Sequence, residues 1–186
     1  MKKVMMICLV GVSFFLLSLN CYAEESKTFL GIGMIFGGQF KVDPMWHVTP
    51  HDYNEFQVNP IVGEHLSDRW EIWLEGKIDY LNWKTDGRGA LKLGASILTS
   101  YDILKFSERC RLYAEAGVGI GYRSWSPSNR TLGTSVLGLI DYGVGAKYKI
   151  DKKYTAKIGV RFEHTSSIPA SDTGINTYGI AFALLW

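Results

Sequence analysis

His164 and Ser166 stand two residues apart in the stretch "GVRFEHTSSIPASDTGINTYG" near the C-terminus. A serine hydroxyl becomes a useful nucleophile when a neighbouring base takes its proton, and histidine is the side chain most often used for that. In an extended chain, residues i and i+2 share one face, so the pair can point the same way only if the stretch is a strand. The same spacing also suits two polar residues at a strand end. The surrounding elements decide where such a pair would sit.

Those elements have a repeating period of two. Strand-like segments run over Phe29–Phe40, Glu55–Gly63, Arg69–Asn82, Ala90–Leu104, Arg111–Arg123, Ser135–Ile150, Tyr154–Ser166 and Asn176–Trp186. Three connections, "HLSDR", "KFSERC" and "DKK", are short, and the ones that alternate with them are long and rich in turn residues. Short turns at one end and long loops at the other are the pattern of an outer-membrane barrel. The faces agree with that reading. Trp70, Ile72, Leu74, Ile78 and Tyr80 share one side of the third segment, while Glu71, Glu75, Lys77 and Asp79 share the other. The charged faces are interleaved with glycine and alanine, which suits a narrow lumen. The expected fold is all-β: an eight-stranded antiparallel transmembrane β-barrel, its apolar faces toward lipid and its lumen filled by side chains. Glu71, Glu75, Lys77, Asp79, Lys147, Lys157 and Arg161 can pair inside it. The alternative is a small periplasmic lipocalin-like barrel, in which the apolar faces would turn inward.

Bulk properties fit export. Lys2 and Lys3 precede an apolar run from Val4 to Leu19, and Cys21-Tyr22-Ala23 closes the stretch, so residues 1–23 read as a cleaved signal peptide and residues 24–186 as one barrel domain. A lipoprotein reading through Cys21 is weaker, because Asn20 occupies the site where a small residue is wanted. Both lysines leave with the leader, so the remaining eighteen cationic residues match the eighteen acidic ones. No basic excess points to nucleic acid. Cys8 and Cys21 also leave, and Cys110 alone cannot close an intramolecular disulfide or build a cysteine metal site.

Counting along the seventh segment, Lys157, Gly159, Arg161 and Glu163 face the lumen, and Ile158, Val160 and Phe162 face lipid. His164 and Ser166 share the parity of the lipid-facing set and fall near the outer rim if the chain starts in the periplasm. Asn176 has the parity of Tyr178 and Ile180 on the returning strand, so all three polar residues can meet on the outer wall.

"HTSSI" followed by "DTGIN" resembles the site motif of the outer-membrane lipid A 3-O-deacylases, and "LYAEAGVGIGY" and "LGTSVLGLIDYGVGAKYKI" resemble the strands that precede it. The resemblance is good over the C-terminal half. It implies Ser166 as nucleophile, His164 as general base and Asn176 in the place of the family's acid. It also places Asp172, Gly174 and Ser167 at the oxyanion and substrate side, with Asp172 and Ser167 standing where the family has asparagines. The implied reaction hydrolyses an ester-linked hydroxyacyl chain of lipid A, with no metal or cofactor. The expected partners are lipid A of lipopolysaccharide and outer-membrane lipid, with a homodimer as a further option. The loss of the acid supports a second reading, a non-enzymatic barrel such as an adhesin or membrane-stabilising protein, and a third is another lipid-modifying barrel enzyme, such as an acyltransferase, with a different site.

Other motifs have plainer readings. "GVGIGY" has the glycine spacing of a nucleotide fingerprint without the strand–turn–helix context, and narrow-lumen glycines explain it. His47, His51 and Asp52 lie in a proline-bearing loop and read as solvated rather than as metal ligands. "NRT" at Asn129 is a glycosylation sequon only in a eukaryotic secretory setting. Trp46, Trp70, Trp83, Trp125 and Trp186 fall near strand ends, where aromatic girdles belong.

Overall fold

The computed structural model describes residues 27–39, 53–83, 89–123, 136–168 and 175–186. The expected leader (residues 1–23), Trp46, His47, His51, Asp52, Trp125, Asn129, Asp172 and Gly174 lie outside these residues, as do the side chains of Trp83 and Ser167. The described residues form eight strands: β1 (Thr28–Gly38), β2 (Tyr53–His65), β3 (Trp70–Trp83), β4 (Gly89–Lys105), β5 (Cys110–Arg123), β6 (Val136–Lys149), β7 (Thr155–Ser167) and β8 (Ile175–Leu185). Their ends fall within two residues of those expected from the alternation. Every strand pairs antiparallel with the next, and β1 pairs with β8 from Gly31–Leu185 to Gly38–Tyr178, so the barrel is closed. Closure removes the unpaired edges that an open sheet would expose to lipid.

The three short turns use one device. Ser67 Oγ accepts from the N–H groups of Arg69 and Trp70, and Ser107 Oγ accepts from those of Arg109 and Cys110. Asp151 Oδ1 accepts from Lys153 and Tyr154 at 2.7 and 2.8 Å. "SDRW", "SERC" and "DKKY" are thus the same turn with a serine or aspartate acceptor in first place. The amides of Tyr154 and Lys153 hold the Asp151 carboxyl below the usual carboxylate range.

The outward faces carry Ile32, Met34, Phe36, Leu74, Ile97, Val118, Ile120, Val144, Ile158, Val160 and Ile180, all exposed. A girdle of this kind has no stabilising role in water, which excludes the lipocalin-like arrangement with its apolar faces inward. The lumen has three layers. An apolar plug of Tyr53, Leu81, Ala90, Leu137, Leu139 and Ile175 closes the long-loop end, and one of Phe29, Ile61, Trp73, Leu98 and Leu185 closes the short-turn end. Between and beside them lies the charge network, in which all seven expected residues take part.

Lys77 bridges Asp141 (2.5 Å) and Glu163 (2.6 Å). Lys92 meets Asp79 (2.6 Å), Glu55 (3.0 Å) and Glu163. Arg161 spans Glu75 (2.6 Å) and Glu115 (2.7 Å), and Lys147 spans Glu71 and Asp102 (both 2.7 Å). Lys157 reaches Glu115 and lies 4.2 Å over the Trp73 ring. The oxygens of Glu55, Asp79 and Glu163 converge closely enough to hold a cation, and the Lys92 ammonium is the cation they hold.

Lys77, Lys92 and Lys147 each satisfy two or more carboxylates, so removing one strands several buried charges. Lys77→Met should lower the free energy of unfolding by about 3–5 kcal/mol, read from urea titration of the barrel folded into lipid vesicles.

Candidate active site

β7 runs from the short-turn end toward the long-loop end, and its residues alternate across the wall. Glu163 and Thr165 point inward, and the Thr165 hydroxyl donates to Glu163 Oε1 (3.0 Å). His164 and Ser166 therefore point outward, near the long-loop rim. Strand register sets their neighbours: His164 lies opposite Ile140 on β6 and Asn176 on β8, and Ser166 lies opposite Gly138 on β6.

His164 and Asn176 meet as the parity argument expects. His164 Nδ1 is 2.6 Å from Asn176 Oδ1. An amide oxygen can only accept, so this hydrogen bond places a proton on Nδ1. The pair is packed rather than displayed, with His164 8% exposed and Asn176 0%. The amide Nδ2 of Asn176 has no hydrogen-bond partner among the described residues. Ser166, two residues along the same face, is half-buried. A two-residue step along a strand is roughly 6.5 Å, short enough for the two side chains to lean together.

Phe162 is placed differently from its expectation. It has outward parity but is only 3% exposed, because Tyr142 and Tyr178 flank it with ring centroids 4.3 and 4.8 Å away. The three rings form an aromatic floor one step deeper in the membrane than His164. Below it the wall continues into Val144, Val160 and Ile180. Asp172, Gly174 and the Ser167 side chain, expected at the oxyanion side, lie outside the described residues.

A lipid A 3-O-deacylase (PagL) family model matches residues 53–184, from the start of β2 almost to the end of β8. The chain belongs to this family. It is a barrel of the bacterial outer membrane, and lipid A is the substrate of its family. Among solved structures, the outer membrane enzyme PagL matches with a TM-score of 0.58 at 14% identity, covering 84% of this chain and 97% of that one. Neisserial surface protein A matches at 0.61 and 10% identity (86% and 96% covered), and OprG from Pseudomonas aeruginosa at 0.51 and 14% (86% and 94%). At these identities the structural likeness establishes the fold alone. No curated protein sequence matches the chain.

Two site features have no motif of their own in this deacylase-family chain. The aromatic floor needs the register of three strands to be seen. Gly138 needs only one: counted outward from the Lys149–Thr155 pair beside the short turn, it falls opposite Ser166. A Cβ built there would meet nothing nearer than Ile168 Cδ1 at 3.5 Å, with Ser166 Oγ at 3.8 Å. The bare backbone leaves a notch beside the serine hydroxyl. With Ser166 as the nucleophile that the sequence leads one to expect, Gly138→Leu should still give a folded barrel while slowing fluorophosphonate labelling of that serine by roughly tenfold to a hundredfold, as a displaced reactant would. The readout is mass spectrometry of the labelled protein, and unchanged labelling would show that the notch is not the approach path.

Proposed function

We propose that this chain is a serine esterase that removes an ester-linked hydroxyacyl chain from lipid A, with Ser166 as nucleophile, His164 as general base and Asn176 as the group that orients the base. The observation that carries the reading is the 2.6 Å contact between His164 Nδ1 and Asn176 Oδ1 on the outward wall, two residues from Ser166. It selects the tautomer in which Nε2 can accept a proton, as a base for acyl transfer requires.

The chemistry follows from those groups. His164 Nε2 takes the Ser166 proton as Oγ adds to the ester carbonyl. The tetrahedral intermediate collapses with release of the sugar hydroxyl, which takes the proton back from His164. Water, deprotonated by the same nitrogen, then adds to the acyl-serine carbonyl, and collapse frees the fatty acid as His164 returns the proton to Ser166 Oγ. Ser167, Asp172 and Gly174 remain the proposed oxyanion and substrate contacts. An acyl chain entering beside Gly138 can lie along the apolar wall below the aromatic floor, which suits a substrate held in the outer leaflet with its ester near the headgroups. A homodimer, left as an option by the sequence, has no support in the comparisons, and the reaction does not need one.

Asn176 is the departure from the family pattern. It fixes the ring but brings no charge to stabilise the imidazolium. In serine proteases the comparable loss of charge costs about 10⁴ in turnover. Asn176→Asp keeps the side-chain shape and restores the charge, so kcat should rise roughly tenfold or more, well within that ceiling. An unchanged rate would mean that another group bears on His164.

The deciding measurement is the lipid A mass spectrum of cells producing the wild type or Ser166→Ala. The wild type should yield lipid A one hydroxyacyl chain lighter, and Ser166→Ala should not. Identical spectra, with the wild-type barrel folded in the membrane, would leave the non-enzymatic barrel as the better reading.

A further inference from the structure

We propose that Tyr53 is a positioning residue for this site: from inside the barrel its hydroxyl holds the main chain of Asn176, and through it the acceptor that orients His164. The inference rests on the hydrolytic reading above and extends it to a residue on the opposite side of the wall, 123 positions away in sequence from Asn176.

Tyr53 opens β2 and points into the apolar plug at the long-loop end, where it packs with Leu81, Leu137, Leu139 and Ile175. A phenol buried among aliphatic groups needs partners for its hydroxyl, and a phenylalanine would fill the same space without that demand. The Tyr53 oxygen lies 3.2 Å from the carbonyl oxygen of Asn176 and 2.6 Å from Thr177 Oγ1. A carbonyl only accepts, so the single phenolic proton goes to Asn176 O, and the Thr177 hydroxyl donates to Tyr53.

The position of this bond in the sheet gives it its consequence. β1 lies between β2 and β8, and the described β1–β8 ladder ends at Gly38–Tyr178, two residues short of Asn176. Tyr53 reaches past the end of β1 and ties β2 to β8 at the level of the site. The main chain of Asn176 is thus held from the lumen while its side chain holds His164 on the outer wall at 2.6 Å. A bond that short is sensitive to displacement of the strand that carries it, and release of the carbonyl lets Oδ1 drift from Nδ1.

The test uses the full barrel refolded in detergent and compares Tyr53→Phe, Thr177→Val and Asn176→Ala, with heat-shifted electrophoretic mobility as the check of folding. Tyr53→Phe should lower kcat on lipid A about tenfold and leave KM within about twofold, the scale of one lost orienting hydrogen bond. In the Asn176→Ala background the same change should cost less than about twofold, because two residues acting in series are not additive. Thr177→Val removes a donor to Tyr53 but not the bond to Asn176, so kcat should stay within about threefold. The nitrogen-15 shifts of the His164 imidazole should report a single Nδ1–H tautomer in the wild type and a mixture in Tyr53→Phe. Equal losses in both backgrounds, an unshifted tautomer, or a Thr177→Val loss as large as that of Tyr53→Phe would each overturn the proposal. If Tyr53→Phe does not fold, a Thr177→Val loss greater than about threefold overturns the proposal by itself. A wild type that hydrolyses no lipid A would sink the esterase reading instead, and the tautomer measurement would still decide the role of Tyr53.

Discussion

The structure depends on neutralising charge inside a barrel too narrow to hold anything but its own side chains. Eight strands close the sheet and leave a lumen that side chains must fill. Most outward positions are committed to lipid, so the charged residues of the middle of the barrel are turned inward, where an unpaired charge is very costly. Lys77, Lys92, Lys147 and Arg161 each answer this by serving at least two carboxylates from different strands. Each of these cations therefore fixes the relative height of three or four strands. Apolar plugs at both ends shield the network, which strengthens its interactions and raises the penalty for any misregistered pairing. Stability and register thus come from the same contacts.

The proposed site draws its precision from that network. A barrel wall is one residue thick, and alternation gives every outward side chain an inward neighbour on each side. His164 sits between Glu163 and Thr165, and both are held inside: Glu163 by Lys77 and Lys92, Thr165 by its bond to Glu163. Ser166 follows one residue later. The segment carrying the base is pinned from within by ion pairs to β3 and β4, while its outer face is left to the histidine, Asn176 and the aromatic floor. This is how a site on the outer wall can be held rigid from the luminal side.

Almost all of the fold was legible in the sequence, since period-two alternation and the contrast between short and long connections carry it. The luminal pairing was legible as a set of residues but not as a set of partners, because partners depend on register and strand tilt. Site residues divide along the same line. His164, Ser166 and their shared face follow from parity within one strand. Gly138 was within reach, since a tight turn fixes the β6–β7 register. The pairing of His164 with Asn176 needed more, because the 168–174 connection is long and does not set the β7–β8 register by itself. Tyr53 was beyond sequence reasoning: it acts on β8 from β2, and nothing local announces a contact past the end of an intervening strand. Phe162 shows the limit of parity itself, since an outward position can still be buried by neighbours on the same wall.

The asparagine at position 176 makes physical sense as a compromise imposed by burial. The residue has no exposed surface and its amide Nδ2 finds no partner among the described residues, so it already bears a polar cost. A carboxylate in that place would have to be stripped of water at the membrane rim, at a penalty of several kcal/mol that only a charged imidazole beside it would offset. Such a carboxylate would accept the Nδ1–H bond but would have no counter-charge until an imidazolium forms. An amide avoids that resting cost and still selects the tautomer, and what it withholds is charge stabilisation at the moment the imidazolium forms. The substitution shifts free energy from the transition state to the ground state of the wall. It also makes orientation the main contribution left to the third member of the site, which is why whatever fixes Asn176 from behind bears directly on the rate.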